Sequence, residues 1–518
     1  MTSALERAVS DVPHQFPGPG GACAVLRDGE ILARHAWGWA DAERQIPFTP
    51  DTLFRICSIT KQFTCGVALE TVAGIDDLDA AVSAALPNLT GPAPKAVHLC
   101  HNQSGLRDYW AVAMLHGAPA ESAFGDRDAA RVIRGTQTLQ FEPGTRYSYC
   151  NQNFRILSDA LQDRTGRSFA ELLRRTIFDP AGMHTALLAA DTAALPDGTT
   201  GYEGTQDSGF RPAKNRIVWT GDAGIAASLD DMIVWERFID RTRDDPASLY
   251  NRLSAPVAFR DGAPASYGYG LGRRVTQGRA ITSHGGALRG WRSYRLHVAA
   301  ERLSVVVLFN HMADAQHAAQ RLLNAALGQA KESLPAEPAP MPPIAGAFIE
   351  PETGLCVRIQ QGAPGKLMLR YNRFPEILTI NPDGTAGSAD GVLLRQEGEA
   401  VWMDRSTDHQ SSRLIPLAAT LIRMDIAGTY RCEELQAELM IVNAGNVLYG
   451  AFSGVLGQSR MELLTPVASD VWTLPCPRAL DHTPPGDWTV ALRRDGGGKP
   501  TSLELGCWLA RKLTYQRQ

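Results

Sequence analysis

An α+β chain is predicted: a large first unit of one antiparallel sheet flanked by helices, then two small antiparallel β-barrels. Three observations carry the prediction. Strand-like stretches stand at both ends of about the first 330 residues, with helical patterning between them. Proline then crowds residues 334–343, at Pro335, Pro338, Pro340, Pro342 and Pro343, the composition of a semi-rigid linker. Beyond it the apolar pattern becomes alternation, and Ile344-Ala345-Gly346-Ala347-Phe348 is echoed 82 residues later by Ile426-Ala427-Gly428-Thr429-Tyr430. The expected units are 1–331, a linker at 332–343, a barrel at 344–420 and a second barrel at 421–518.

Taken in order, residues 1–16 read as a helix broken by Pro17-Gly18-Pro19-Gly20-Gly21. Residues 22–27 and 30–39 read as strands around Asp28-Gly29, a strong hairpin signal. A helix is expected over 55–73, and His101-Asn102-Gln103-Ser104-Gly105-Leu106 reads as a helix end with a glycine stop. Residues 111–170 look mainly helical, interrupted by Glu142-Pro143-Gly144-Thr145. Residues 224–238 read as a helix capped by Ser228, with Asp231 closing a capping box. Strands are expected around His284-Gly285-Gly286, over 291–297 and over 303–310, then a helix at about 314–331. In the last units 356–359, 366–371, 438–442 and 447–452 are strand-like.

A chain of 518 residues is too long for one core. Its hydrophobic content of 44% and net charge of -4 fit an ordinary soluble protein and argue against nucleic acid or an anionic membrane as partner. No run reaches the roughly 18 apolar residues of a membrane span, and residues 1–21 lack an apolar core of signal-peptide length. The nine cysteines are scattered without a CxxC pair, which fits free thiols. The expected location is therefore cytoplasmic. His98 and His101 have no carboxylate or thiol to complete a ligand set, so no metal and no cofactor is expected.

Chemistry concentrates in three places. Ser58 and Lys61 lie three residues apart, on one helical face about a turn from each other. A serine hydroxyl needs a neighbouring base, and a lysine is one only when burial or positive charge keeps it neutral. The chain has 7 lysines against 44 arginines, and Lys61 alone has Ser three residues before it. Tyr149-Cys150-Asn151 is the chain's only Tyr-x-Asn: the phenol could share the base role, and Asn151 could hold a substrate amide. At His284-Gly285-Gly286, glycines let a strand approach a ligand closely and the imidazole can bind a carboxylate or relay a proton. Taken singly, Ser58 also reads as a helix cap, Tyr149 as a core tyrosine, and Cys57 and Cys150 as small packed side chains. Together, in this order and at spacings of 91 and 135 residues, the three form a set that chance rarely assembles.

These motifs resemble those of the penicillin-recognising serine hydrolases, which include class C β-lactamases, DD-peptidases and related esterases. The resemblance extends to Phe54-Arg55-Ile56, to His101–Leu106, to residues 224–232 and to Tyr267-Gly268-Tyr269-Gly270, and covers about 17–330. His284 stands where many members have lysine, and with the length, the trailing β-units and strings such as CSITKQFTC and HGGALRGW it is similar to the D-aminopeptidase branch. That resemblance implies a β-lactamase-like first domain. It also implies Ser58 as nucleophile, Lys61 and Tyr149 as proton carriers, and an acyl-enzyme that releases a D-Ala-like residue from peptides, amides and esters. His284 would be catalytic, and Asn151, Gly285 and Gly286 would bind substrate. A free α-ammonium needs an acidic partner, which the three motifs lack. In the branch resembled, a loop from the last domain supplies it. The matching residues are Pro477, Arg478, Ala479, Leu480, Asp481, His482, Thr483, Pro484, Pro485, Gly486 and Asp487, with Asp481 on the amine and the loop excluding bulkier substrates. Read alone, the same stretch is an exposed hairpin loop. The resemblance further implies a homodimer, small D-amino-acid peptides and amides as substrates, and β-lactams as candidate inhibitors. Two other readings remain open here. One is a β-lactamase-like esterase or DD-carboxypeptidase; the other is a penicillin-binding regulatory module without turnover.

Overall fold

The computed structural model describes residues 4–329, 344–371, 374–418, 422–476, 480 and 485–518. The expected linker at 332–343 lies outside the described residues. So do Pro477, Arg478, Ala479, Asp481, His482, Thr483 and Pro484 of the loop.

The first unit is built on an eight-stranded antiparallel sheet that the two ends of the unit complete together. Gly20–Arg27 and Glu30–Asp41 form the predicted hairpin, with Asp28 and Gly29 both at positive φ (56° and 75°) as a type I′ turn requires. Gly20–Arg27 then pairs on its other side with Leu303–Phe309, so that Gly21 faces Phe309. Both of these strands are buried almost throughout, which matches their unbroken apolar runs. Ala4–Gln15 and Ala315–Ala326 cover one face, burying Val9, Val12, Ala318 and Leu322 against Val305 and Val307. The helical region packs on the other face through Phe63, Trp235 and Met232.

The expected helix at 55–73 is shorter and starts differently. Phe54–Arg55 is a short strand against Ile225–Ala227, a tight turn follows at Cys57–Ile59, and the helix proper is Thr60–Thr71. Residues 111–170 hold the helices Asp126–Arg134 and Asn151–Thr165, but 135–150 is irregular chain that wraps the site. Ser228 and Asp231 form the predicted capping box on Leu229–Thr242.

Residues 346–416 close into an eight-stranded antiparallel barrel. The last unit, expected as a second barrel, is a ten-stranded antiparallel sheet. Among the described residues its end strands, Gly457–Gln458 and Thr465–Ala468, do not pair with each other. The internal echo is structural. Gly346–Glu350 and Gly428–Cys432 each pair with the strand that follows and with the last strand of their own unit. Ile344 and Ile426 are buried, as are Phe348 and Tyr430.

Candidate active site

Ser58 owes its position to the turn before the helix. Cys57 adopts the left-handed region (φ 51°), which costs a non-glycine residue about 1–3 kcal/mol and is held only where its surroundings over-determine it. Here Cys57 is fully buried, and its thiol donates to the Arg55 carbonyl at 3.1 Å. The strand carrying His284, Arg279–Leu288, lies directly against this turn. A Cβ on Gly286 would stand 2.3 Å from the Ile56 carbonyl oxygen and 3.0 Å from Cys57 Cβ, so only glycine fits. Ser293, on the neighbouring strand, donates to the same Ile56 carbonyl at 3.0 Å.

One helical turn on, Lys61 is fully buried. Its Nζ lies 2.9 Å from Ser58 Oγ, 2.9 Å from Asn151 Oδ1 and 2.6 Å from the Asp222 carbonyl oxygen. Burial pushes the amine down to about 8, against the carboxylates of Asp222 and Asp108, which favour the charged form. A neutral amine has two N–H donors and one lone pair. The oxygens of Asn151 and Asp222 can only accept, so they take both N–H bonds and leave the lone pair for the Ser58 hydroxyl. Tyr149 reaches Ser58 Oγ from the other side, OH to Oγ 2.8 Å, with the Lys61 amine 4.9 Å from its ring centre. The serine oxygen is thus bracketed by an amine and a phenol, an arrangement able to accept a proton and hand it on.

The residues that hold Asn151 form no familiar sequence pattern. Asp108 caps the helix Tyr109–Leu115, and its other carboxylate oxygen accepts from the backbone N–H (2.6 Å) and the side-chain amide (2.9 Å) of Asn151. That orients the amide oxygen towards Lys61. Asn102, itself at φ 53°, accepts from Cys150 N–H at 3.2 Å and from Asn153 Nδ2 at 2.9 Å, and so pins the Tyr149 turn. Asp222 accepts from the buried Tyr109 hydroxyl. The signals for Asp108 and Asn102 were near the predicted helix end at 101–106, but only the fold shows what they touch.

His284 is buried with both ring nitrogens engaged. Nδ1 lies 2.6 Å from the Gly285 carbonyl oxygen and must donate to it, so Nε2 accepts from the Tyr267 hydroxyl at 3.0 Å. Burial, then the nearby Lys61 charge, push the imidazole down to about 3. It is therefore neutral at working pH and lines the site 6.2 Å, ring centre to ring centre, from Tyr149. Gly285 packs against the Tyr294 ring. Of the loop, Leu480 is buried in the main core, while Asp487 stands 3.8 Å from Arg358 of the barrel. Pro485 and Gly486 precede it, Gly486 at φ 98°.

Sequence comparison identifies the family. The β-lactamase family model matches residues 5–330, and the model for D-aminopeptidase, domain B matches 337–516. A D-aminopeptidase of Gluconobacter oxydans is 60% identical over 100% of this chain and 99% of its own. One from Brucella canis is 47% identical over 99% of this chain and 98% of its own. Among solved structures, the octameric penicillin-binding protein homologue from Pyrococcus abyssi superposes with a TM-score of 0.55 at 18% identity, covering 79% of this chain and 99% of that one. The D-amino acid amidase from Ochrobactrum anthropi SV3 complexed with D-phenylalanine gives 0.50 at 20% identity, covering 63% and 98%. The two structures speak to the fold alone. A β-lactamase-like first domain, a Ser-Lys-Tyr cluster around the buried Lys61 and end-to-end relatives at this identity place the chain in the D-aminopeptidase family of penicillin-recognising serine hydrolases.

Proposed function

We propose that the D-aminopeptidase activity of this family runs here through an acyl-enzyme on Ser58. The observation that carries the reading is the double approach to Ser58 Oγ by Lys61 Nζ at 2.9 Å and Tyr149 OH at 2.8 Å. Ser58 attacks the carbonyl of the N-terminal D-residue. Its proton passes to Lys61 and returns by way of Tyr149 to the leaving amine. The backbone N–H of Ser58 and one just after His284-Gly285-Gly286 stabilise the oxyanion, each donor contributing about 3–4 kcal/mol. The contact between that strand and the turn at Ile56–Cys57 supports this pairing. Asn151 holds the substrate amide as well as Lys61, and neutral His284 lines the acyl pocket. Water then releases the free D-amino acid.

Asp481 is assigned to the substrate ammonium, because burying that cation unpaired costs several kcal/mol and the nearby carboxylates are already hydrogen-bonded elsewhere, Asp108 to Trp110 and Asn151 and Asp222 to Tyr109 and Thr220. Small D-amino-acid peptides and amides are the proposed substrates, by analogy with the amidase that binds D-phenylalanine, and β-lactams are proposed inhibitors. The boundaries 1–331, 344–420 and 421–518 are the proposed domains. A cytoplasmic homodimer is the proposed state, checked by light scattering and fractionation; no described helix is long and apolar enough to cross a membrane.

The test compares D-Ala p-nitroanilide with L-Ala p-nitroanilide and N-acetyl-D-Ala p-nitroanilide, for wild type and Ser58→Ala. Turnover of the free-amine D-compound alone, abolished in the mutant, is expected. Equal or faster cleavage of the acetylated compound would turn the reading towards an esterase or carboxypeptidase.

A further inference from the structure

One contact between the last unit and the first lies directly behind the active site. Glu434 stands in the turn between Gly428–Cys432 and Ala437–Ala444. Its carboxylate accepts from Arg107 Nη1 at 3.0 Å, from the Thr138 N–H at 3.0 Å and from the Thr138 hydroxyl at 2.9 Å. All three donors belong to the first unit. The Arg107 side chain is 6% exposed and that of Glu434 17%, so this pair is largely removed from water. Arg107 Nε also donates to the Arg511 carbonyl at 2.8 Å, and the N–H of the next residue, Asp108, donates to the Leu509 carbonyl at 2.9 Å. Asp108 is the residue that holds Asn151 by two bonds, and Asn151 holds Lys61.

We propose that the Glu434–Arg107 pair is a positioning device for the reaction: the last unit fixes Arg107 and Asp108, and through Asp108 and Asn151 it sets where the Lys61 amine stands relative to Ser58. Every link is a hydrogen bond of 2.6 to 3.0 Å, and Arg107 and Asp108 are adjacent in the chain. A displacement at Glu434 therefore has little slack in which to dissipate. This gives the ten-stranded unit a part in proton transfer separate from any loop it extends over the substrate. The proposal rests on the reading of Lys61 and Ser58 given above.

The test uses full-length Glu434→Ala and Glu434→Gln, assayed with D-Ala p-nitroanilide. Each is also followed across pH with p-nitrophenyl acetate, which has no amine of its own, and checked by thermal unfolding. Misplacing reacting groups by an ångström costs up to about a hundredfold, so Glu434→Ala is expected to lower kcat about tenfold to a hundredfold. KM should stay within about twofold, the signature of an interaction lost in the transition state. Its acid limb should move to lower pH, because Arg107 is left uncompensated and a displaced Asp108 favours the charged amine less. Glu434→Gln, whose one amide oxygen can still accept from Arg107 and the Thr138 N–H, should recover most of the rate. A Glu434→Ala enzyme with wild-type kcat and acid limb overturns the proposal even if its Tm falls, since that is what a purely structural contact would give. Should Glu434→Ala not fold, Thr138→Val removes one donor to Glu434; it should shift kcat and limb the same way to a smaller extent, and no shift overturns the proposal. A wild type that leaves D-Ala p-nitroanilide intact would instead defeat the functional reading, and this inference with it.

Discussion

Replacing Gly286 by alanine tests whether the His284 strand must lie against the turn that carries Ser58. The new Cβ would meet Ser293 Oγ at 2.2 Å and the Ile56 carbonyl oxygen at 2.3 Å. Ser293 can rotate away, losing its own 3.0 Å bond to that carbonyl. The Ile56 carbonyl is backbone, two residues from Ser58, and has no such freedom. Real contacts to a Cβ essentially never fall below 3.0 Å. Going from 2.3 to 3.0 Å therefore requires strand and turn to part by at least 0.7 Å. A shift of that order between the two proposed oxyanion donors costs about a hundredfold in rate, or about 3 kcal/mol of transition-state stabilisation. Steady-state kinetics on D-Ala p-nitroanilide measure it, with circular dichroism to check the fold. A well-folded Gly286→Ala enzyme whose kcat stays within about threefold of wild type refutes the argument.

Three further predictions follow from the same geometry. Lys61→Arg keeps the charge but has no lone pair to offer, so acylation by p-nitrophenyl acetate should fall about 10²- to 10⁴-fold; near-normal rates would remove Lys61 from the base role. With Lys61 at about 8, the amine is charged below that pH and cannot accept a proton, so acylation should rise with pH and level off above it. A limb near the usual histidine range would point elsewhere, although His284 is held far below that range. Glu236 is the partner of the fully buried Arg295 at 2.7 Å. Glu236→Ala should cost about 3–5 kcal/mol in urea unfolding by stranding that guanidinium, and a loss under about 1 kcal/mol would contradict it.

The sequence carried the motif residues and the sheet-and-helix plan because both are local signals. Ser58 and Lys61 share a helical turn, and Asp28-Gly29 dictates its hairpin. The helix at 55–73 was misread at its start because Phe54, Arg55 and Ile56 are apolar or amphipathic enough to continue a helix pattern. Their pairing with Ile225–Ala227 is a long-range contact that no local window registers. Residues 135–150 include the Glu142-Pro143-Gly144-Thr145 break, and tertiary contacts set the rest: Tyr147 N–H bonds to the Asp408 carbonyl, and His409 Nδ1 lies 2.9 Å from the Thr145 carbonyl oxygen. The last unit alternates like a barrel strand by strand, but closure depends on whether its end strands meet, which alternation does not encode. Asp108 was invisible as a site residue because its importance lies in what Asn151, 43 positions away, presents to it.

The pairing of Gly20–Arg27 with Leu303–Phe309 bears on how the enzyme is made. At about 5–20 residues per second, some ~15–60 s pass between synthesis of Gly21 and of its partner Phe309. Until then the first hairpin has no neighbour on its inner side, and the helical region has an incomplete sheet to pack on. Leu509 and Arg511, which brace Asp108 and Arg107, are translated later still. A ribosome-bound chain can therefore carry the serine and lysine motifs long before they are braced as in the finished fold.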